Sequence, residues 1–258
     1  MSRYGALVGA AVAMAMAWPG HAQMAGEHSP PSAAPASAAP FGVSPVQDEH
    51  IFYHLLFDQL EGRFGFDQGN TFRWEATAWA GTDLNRIWLL SEGRYSNNQL
   101  DDGIQQLFYG RAITTYFDAL VGVRYDLDSL PGRGWGAIGI QGLAPQFFKV
   151  SAIGYISGEG HLAARLEASY DLLITQRLIL QPQVELNFYT KDDPARQVGA
   201  GLSELDAGLR LRYEISRQFA PYVGITYLGQ YGATANYVSA AGGSTQQVRF
   251  TAGLRAWW

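Results

Sequence analysis

The stretch SELDAGLRLRYEI, residues 203–215, decides the fold because its side chains change character at every second position. Leu209 and Leu211 belong to its apolar set, and Arg210 and Arg212 belong to the charged set that alternates with it. Successive side chains of a β-strand point to opposite faces, so the stretch predicts a strand with one apolar face and one ionic face. On a helix the same charges would be spread over every face. Such a strand can belong to a soluble β-sandwich or to a membrane β-barrel. Recurrence of the pattern around a closed sheet is what distinguishes the barrel from the sandwich.

The alternation recurs in twelve segments along the chain. By residue number they are 55–64, 71–80, 86–95, 104–111, 117–127, 135–143, 148–156, 161–172, 178–189, 203–215, 221–230 and 246–258. Most are as long as the ~9–11 tilted residues that a strand needs to cross a bilayer. The sixth and seventh segments are rich in glycine and poor in charge, so pattern and turn spacing alone predict them. Pro182 cannot donate a ladder hydrogen bond, so we expect a β-bulge at that position.

The connections and the last segment favour a membrane barrel. Mostly short connections alternate with mostly longer ones, and an even number of strands returns the chain to the side on which it started. The last segment is apolar at alternate positions back from Trp258, which resembles the C-terminal signal of outer-membrane proteins. The sequence therefore predicts an all-β fold, a transmembrane antiparallel up-and-down β-barrel of about 12 strands over residues 49–258. We expect it in the cell outer membrane with a periplasmic N-terminus.

Residues 1–48 differ in composition and are expected to lie outside the barrel. Residues 1–22 have the features of a signal peptide, with Arg3 near the start, an apolar run and small residues before the expected cleavage after Ala22. Residues 23–48 form an Ala/Pro-rich linker with almost nothing to bury, which predicts a disordered tether.

The composition excludes several classes of function. The 258-residue chain has no cysteine, which rules out disulfides, thiolate metal sites and thiol nucleophiles. Its formal net charge is -5, and loss of Arg3 with the signal makes it one unit more negative. This charge argues against nucleic acid as a partner. After the signal, no stretch has eighteen unbroken apolar residues, so we expect no transmembrane helix.

The inward face of the predicted barrel carries charge of both signs. Its expected members are Glu61, Glu75, Glu92, Asp118, Asp126, Glu167, Asp171, Glu185, Glu204, Asp206 and Glu214 together with Arg63, Arg73, Arg94, Arg111, Arg124, Arg165, Arg210, Arg212, Arg249 and Arg255. Arginine forks can bind carboxylates through two hydrogen bonds. We favour a structural salt-bridge lattice that fills a small barrel, and the alternative is a narrow charged path for a small solute or metal ion. The acidic loop residues Asp101, Asp102, Asp192 and Asp193 are expected to be solvated surface.

Catalysis has little support in the sequence. A nucleophilic serine needs a histidine within reach, and His161 is the one histidine expected within the strands. A lipid-cleaving enzyme of the outer membrane would place its serine and histidine on the outward face at the bilayer rim, where the pattern supplies neither. We therefore expect a protein without enzymatic activity.

Metal ligation has one candidate region, at and before the start of the barrel. His50 and His54 are four residues apart and would share a face if this segment were helical. Met24 and His28 lie on the predicted tether. Imidazole suits copper and zinc, and a thioether suits Cu(I). These four residues are the candidate metal ligands, with a copper ion as the expected metal.

Eight ordered blocks carry a resemblance to a known family. They are FDQLE (57–61), IWLLSEG (87–93), GVRYD (122–126), GIQGLAPQFF (139–148), LLITQRLILQPQVELN (172–187), GLSELDAGLRLRYEI (201–215), FAPYVGI (219–225) and FTAGLRAWW (250–258). On these blocks the chain resembles the copper resistance protein B family, outer-membrane proteins of bacterial copper tolerance. The resemblance implies copper binding or copper export at the outer membrane, alongside a periplasmic multicopper oxidase partner.

The N-terminal segment departs from the family pattern. Family N-termini are often rich in Met and His, whereas Met24 is the single methionine left after the signal. Capture of Cu(I) by thioether clusters is therefore not expected here. The leading hypothesis is a barrel that binds periplasmic copper or aids its export, with the lipid bilayer and copper ions as partners. The alternatives are a general small-solute pore without metal preference and an outer-membrane hydrolase.

Overall fold

The computed structural model describes residues 50–65, 69–96, 99–127 and 132–258, in which twelve antiparallel strands close into a barrel. The strands are β1 Phe52–Phe64, β2 Asn70–Gly81, β3 Asn85–Ser96, β4 Gln99–Ala112, β5 Phe117–Asp126, β6 Arg133–Ala144, β7 Phe148–Ser157, β8 Leu162–Ser169 with a continuation at Leu172–Leu173, β9 Leu178–Tyr189, β10 Gly201–Tyr213, β11 Phe219–Gln230 and β12 Gln246–Trp257. Each strand pairs with the next along the chain. The last strand pairs back to the first, with Leu56 opposite Trp257 and Phe64 opposite Phe250. The predicted twelve-strand barrel is confirmed.

Two strands differ from their predicted form. The fourth begins at Gln99 rather than at residue 104, so the connection expected before it is mostly strand. The eighth is interrupted at Tyr170 and Asp171, and its two parts both pair with β9. Residues 1–49 lie outside the described residues, so the signal peptide and the tether remain predictions.

The bulge expected at Pro182 is absent, and the neighbouring strand is interrupted instead. Pro182 pairs in regular register with Leu209 of β10. The pairing of β9 with β8 stops at Ser169 and resumes at Leu172 without a change of register. The amide of Tyr170 donates to the Pro182 carbonyl at 3.1 Å, so the proline nitrogen, which lies on the same strand edge, also faces β8. The missing N–H therefore costs one ladder bond on that side and produces a gap in the ladder.

Exposure along the strands separates an outward face from an inward one. In β5, Val121 and Val123 are 54% and 57% exposed, whereas Leu120 and Arg124 on the other face are 3% and 6% exposed. Side chains alternate along a strand, so the exposed set faces outward and the buried set faces the lumen. The inward position predicted for Arg124 is confirmed.

One member of the predicted inward set, Arg111, is on the outward face. Arg111 is exposed and has the same parity in β4 as the exposed Leu107 and Tyr109, whereas Gln106 and Phe108 are buried. Arg111 lies next to the end of its strand, where an outward charge can reach the polar region of a bilayer. The inward position predicted for it was wrong because charge alone does not mark the lumen near a strand end.

The two ends of the barrel are built differently. At the end where β1 begins and β12 ends, called the terminal end, the connections are turns of three to five residues. At the opposite, distal end, helix α1 (Gly232–Ala240) lies in the connection from β11 to β12. Its Thr234 accepts a hydrogen bond from the Gly199 amide at 2.8 Å and contacts the Ser203 hydroxyl at 2.8 Å. In the described residues, no helix has the length and apolar character needed to cross a membrane.

The apolar part of the interior lies against β4 to β8. We call the following residues the apolar cluster: Phe108, Leu120, Trp135, Ala137, Ile153, Tyr155 and Ala163. Each is at most 9% exposed, and all of them belong to the inward faces of their strands. Most of the other buried residues are charged or polar.

Candidate functional site

Eight charged side chains form a continuous series of alternating sign across the lumen, which we call the charge ladder. In order of contact, its members are Arg210, Glu61, Arg63, Asp206, Arg73, Glu185, Arg165 and Glu92. They come from six strands, β1, β2, β3, β8, β9 and β10. Apart from the direct contact between Arg165 and Glu92, the consecutive pairs are separated by 2.7 to 3.2 Å. The predicted salt-bridge lattice is present.

Neutral side chains complete the hydrogen bonding at the two ends of the charge ladder. Tyr222 donates to Glu61 at 2.9 Å, and Arg210 donates to the side-chain amide oxygen of Gln59 at 3.0 Å. At the other end, Gln106 donates to Glu92 at 3.2 Å and accepts from the Tyr155 hydroxyl at 2.9 Å. A buried charge is tolerated only when it is paired and its remaining hydrogen-bonding groups are satisfied. Four arginines and four carboxylates in alternation supply the pairing, and the Arg73 Nε is the one buried nitrogen of the ladder that has no hydrogen-bond partner among the described residues.

The charge ladder closes the lumen at its level. None of its eight members is more than 9% exposed, so water hardly reaches them from either end. Arg73 in β2 contacts Glu185 in β9 at 3.1 Å, a contact that spans the lumen between strands distant in the sheet. The ladder therefore divides the interior into a distal part and a terminal part.

The distal part is a cavity of about 490 Å³ above the charge ladder. His161 lines it, and so does the ion pair of Arg133 with Asp193 at 2.7 Å. Asp193 was expected on the solvated surface, but its side chain is only 11% exposed because the connection from β9 to β10 folds over the barrel mouth. Cations and carboxylates both contribute to the wall, so this cavity has a mixed electrostatic character.

The terminal part contains a group of aromatic residues around one histidine, which we call the His–Trp cluster. The His54 ring centroid lies 5.5 Å from that of Trp257 and 6.2 Å from that of Trp79. Trp88 lies behind Trp79 at 5.8 Å. His54 is opposite Trp79 in the β1–β2 register, and Trp79 is opposite Trp88 in the β2–β3 register. Trp79 has the same parity as the buried, inward Arg73, so this register places the cluster on the lumen face.

The structure places the four predicted metal ligands in different settings. Met24 and His28 lie outside the described residues, so their role remains a prediction. His50 is exposed and precedes β1, whereas His54 lies within it. The helical spacing that would bring the two imidazoles together is not formed, and four residues of extended chain span about 13 Å. Among residues 50–65, 69–96, 99–127 and 132–258 there is no group of three or more His, Cys, Asp or Glu that could hold a metal.

The sequence prediction missed the inward tryptophans although their signal is in the strand parity. The predicted second strand has Arg73 and Glu75 inward, and extending that parity by four residues reaches Trp79. The predicted third strand has Glu92 inward, and the same step backward reaches Trp88. His54 was placed before the first strand, but β1 begins at Phe52 and includes it in the barrel wall.

The closed sheet, its apolar outer face and its charged interior define a class, the outer-membrane β-barrels. Among solved structures, the NanC porin has this fold, with a TM-score of 0.54 and 12% sequence identity over 78% of this chain and 98% of that chain. At this level of identity the likeness concerns the fold alone. The protein is an outer-membrane barrel.

Sequence comparison identifies the family. The family described as Copper resistance protein B precursor (CopB) matches residues 51–258. Copper resistance protein B of Escherichia coli is 44% identical over 212 residues, which cover 82% of this chain and 71% of that protein. The Copper resistance protein B homolog of Pseudomonas syringae pv. tomato is 43% identical, with coverages of 82% and 72%. The chain belongs to the copper resistance protein B family.

Proposed function

We propose that this protein contributes to copper resistance as a non-enzymatic outer-membrane barrel that lowers free periplasmic copper by binding it. The observation that carries the proposal is the closed charge ladder. A lumen that is filled at one level offers binding surfaces on either side of that level but no continuous aqueous path. Family membership supports copper as the metal, and imidazole is a suitable ligand for it.

Export through the lumen would require the charge ladder to rearrange. Arg165 contacts both Glu185 and Glu92. A displacement of this one side chain to open a path would therefore break two buried ion pairs at once. Each charge left unpaired in a dry interior costs several kcal/mol in rough terms. This cost favours binding over free conduction, and it argues against a general small-solute pore.

The hydrolase alternative receives no support from the position of His161. Its ring lines the distal cavity inside the barrel, not the outward rim. The nearby Ser157 hydroxyl accepts a hydrogen bond from the backbone amide of His161 at 3.3 Å. A nucleophile–base pair would instead need the imidazole to accept the serine proton.

Growth of a deletion strain tests the proposed function. Loss of the gene should reduce growth in copper much more than growth in zinc, and the gene supplied on a plasmid should restore it. Equal growth of the deletion and parent strains at every copper concentration would overturn the proposal. A partnership with a periplasmic multicopper oxidase remains a prediction from the family resemblance. Growth in copper of a strain that also lacks the oxidase gene tests it.

Conductance in planar bilayers separates binding from a general pore. Because the charge ladder closes the lumen, the purified protein should show almost no steady ionic current. A stable current typical of an open porin, present in every inserted barrel, would contradict the closed lumen and favour the general pore.

A further inference from the structure

An open pocket of about 490 Å³ lies between two neighbouring turns at the terminal end of the barrel. One turn, residues 174–177, joins β8 to β9, and the other, residues 214–218, joins β10 to β11. The amide of Glu214 donates to the Arg177 carbonyl at 2.8 Å, so the backbones of the two turns are tied together. The lining contains two arginines, one carboxylate, two neutral polar residues and two apolar residues.

The two arginines of this pocket are available to a ligand. Arg177 and Arg217 are exposed, and neither side chain makes an ion pair or a hydrogen bond with another described residue. At the same end of the barrel, Arg212 and Arg255 are instead paired with carboxylates. A guanidinium fork can bind a phosphate group through two hydrogen bonds. Two unpaired forks at one pocket therefore favour a ligand that carries a phosphate.

One carboxylate in the lining adds a second requirement. The Glu214 side chain is 23% exposed, and its charged contact is with Arg212 at the long distance of 4.0 Å. Arg212 also lies 3.6 Å from Asp171, so its charge is shared. A lone phosphate would be repelled by Glu214, whereas a group with an ammonium beside its phosphate would be attracted by both parts of the lining. Phosphoethanolamine has this arrangement of charges.

The surroundings of the pocket indicate a membrane lipid as the source of that group. Ile215 is 59% exposed and continues the outward apolar series of β10, and Leu173 is 64% exposed. Tyr213 and Phe219, which precede and follow the turn 214–218, are 48% and 41% exposed. Outer-membrane barrels carry aromatic residues at the two membrane interfaces. The pocket therefore lies at the level of the lipid head groups, with apolar side chains beside it that can contact an acyl chain.

We propose that Arg177, Arg217 and Glu214 bind the head group of an aminophospholipid, a lipid that carries phosphoethanolamine. The arginines bind the phosphate, the Glu214 carboxylate binds the ammonium, and Ile215 contacts an acyl chain. Barrels of this class have short turns on the periplasmic side, so the lipid is expected in the periplasmic leaflet. The inference does not depend on copper, and its failure leaves the proposed function unchanged.

Native mass spectrometry of the full mature protein in detergent tests the site. The probes are phosphatidylethanolamine and phosphatidylglycerol with the same acyl chains, in an equal mixture. The protein should retain one molecule of phosphatidylethanolamine, about threefold more often than phosphatidylglycerol, because the latter has no ammonium to pair with Glu214. An excess of soluble phosphoethanolamine should not displace the lipid. Displacement would show that the pocket takes the free head group and would overturn the assignment to a lipid.

Substitutions locate the contacts with the head group. The double variant Arg177→Gln/Arg217→Gln should retain phosphatidylethanolamine about tenfold less, because it loses charged hydrogen bonds to the phosphate. Arg111→Gln is the matched control, because Arg111 is also exposed near the terminal end but lies outside the pocket. It should leave retention unchanged. Glu214→Gln should still retain lipid but lose the preference for phosphatidylethanolamine.

The folded state of each variant is checked by the heat-dependent shift in gel mobility. The arginine substitutions should preserve it, because both side chains are exposed and Trp257 Nε1 holds the second turn through the Arg217 carbonyl at 2.6 Å. Undiminished retention in the folded double variant, or an equal loss in Arg111→Gln, would overturn the pocket. A preference of the unchanged protein for phosphatidylglycerol would overturn the role of Glu214 and with it the aminophospholipid.

Discussion

The two halves of the lumen are built from opposite chemistry on the same kind of strand. Against β1, β2, β9 and β10, the charge ladder fills the interior with arginines and carboxylates. Against β4 to β8, the apolar cluster supplies most of the buried side chains, beside the buried ion pair of Arg124 with Asp126 in β5. The halves meet where the Tyr155 hydroxyl donates to Gln106, which in turn donates to Glu92. A barrel interior can thus be closed by either means, but the energetic consequences of a defect differ.

The difference lies in how each half responds to the loss of one member. An apolar side chain that is removed leaves a cavity, whose cost depends on how well its neighbours relax. A charge that is removed leaves its partners buried and unpaired, which costs more. The charge ladder is therefore expected to be the more sensitive half, and the following substitutions test this in order of expected effect.

Removal of Glu61 should have the largest effect. Glu61 is 0% exposed and receives hydrogen bonds from Arg63, Arg210 and Tyr222. In a Glu61→Ala variant, two guanidinium groups lose their shared partner, and the free energy of unfolding should fall by about 3–5 kcal/mol. Urea titration of the protein folded in lipid vesicles measures this.

The matched control for that substitution is Glu159→Ala at the distal rim. Glu159 also pairs with an arginine, Arg133, at 3.0 Å, but its side chain is 69% exposed. Loss of this pair should cost less than about 1 kcal/mol, because exposed ion pairs contribute little. Similar losses in both variants would show that burial does not set the cost in the charge ladder.

Truncation of Leu120 in the apolar cluster should have an intermediate effect. Leu120 is 3% exposed, and Leu120→Ala should lower the free energy of unfolding by about 2–3 kcal/mol through lost burial and a residual cavity. The neighbouring Val121, which is 54% exposed on the outward face, provides the control. A Val121→Ala loss as large as that of Leu120→Ala, in the same urea titration, would contradict an inward apolar cluster.

The smallest effect is expected for the ion pair of Lys149 with Asp171 at the terminal end. The two atoms are 2.8 Å apart, but the Lys149 side chain is 47% exposed. Lys149→Ala should cost about 0.5 kcal/mol at low salt and nothing measurable at 1 M salt, where charges are screened over about 3 Å. The loss caused by Glu61→Ala should change little over the same range of salt. A strong salt dependence of both would indicate that water reaches the charge ladder.

The halves also explain which parts of the fold could be predicted from the sequence. The strand over 203–215 was predicted well because Arg210 and Arg212 alternate with leucines, and such contrast exists wherever the charge ladder supplies the inward face. The glycine-rich sixth and seventh strands had no such contrast because their inward residues, Trp135 and Ile153, belong to the apolar cluster. In these strands the inward and the outward side chains are both apolar. The side chains still point alternately to the two faces, but the sequence no longer alternates between polar and apolar residues.

The candidate site was less predictable than the fold. The sequence indicated His54 as a ligand, but proximity to Trp79 and Trp257 depends on strand register. The closing contact between β1 and β12 joins residues about two hundred positions apart. Pattern and spacing predict that the first and last strands pair, but not the register in which they do so. Pro182 shows the same limit, since its cost was predicted correctly but the strand that absorbs it was not.

That closing contact has a consequence for how the protein is made. The pairing of β1 with β12 closes the longest loop in the chain, so its entropic cost is the highest of any strand pair and it is expected to form last. Until the final strand has been synthesised and inserted, the sheet has two open edges whose unpaired amides and carbonyls can join another chain. A product truncated before the last strand would therefore keep both open edges.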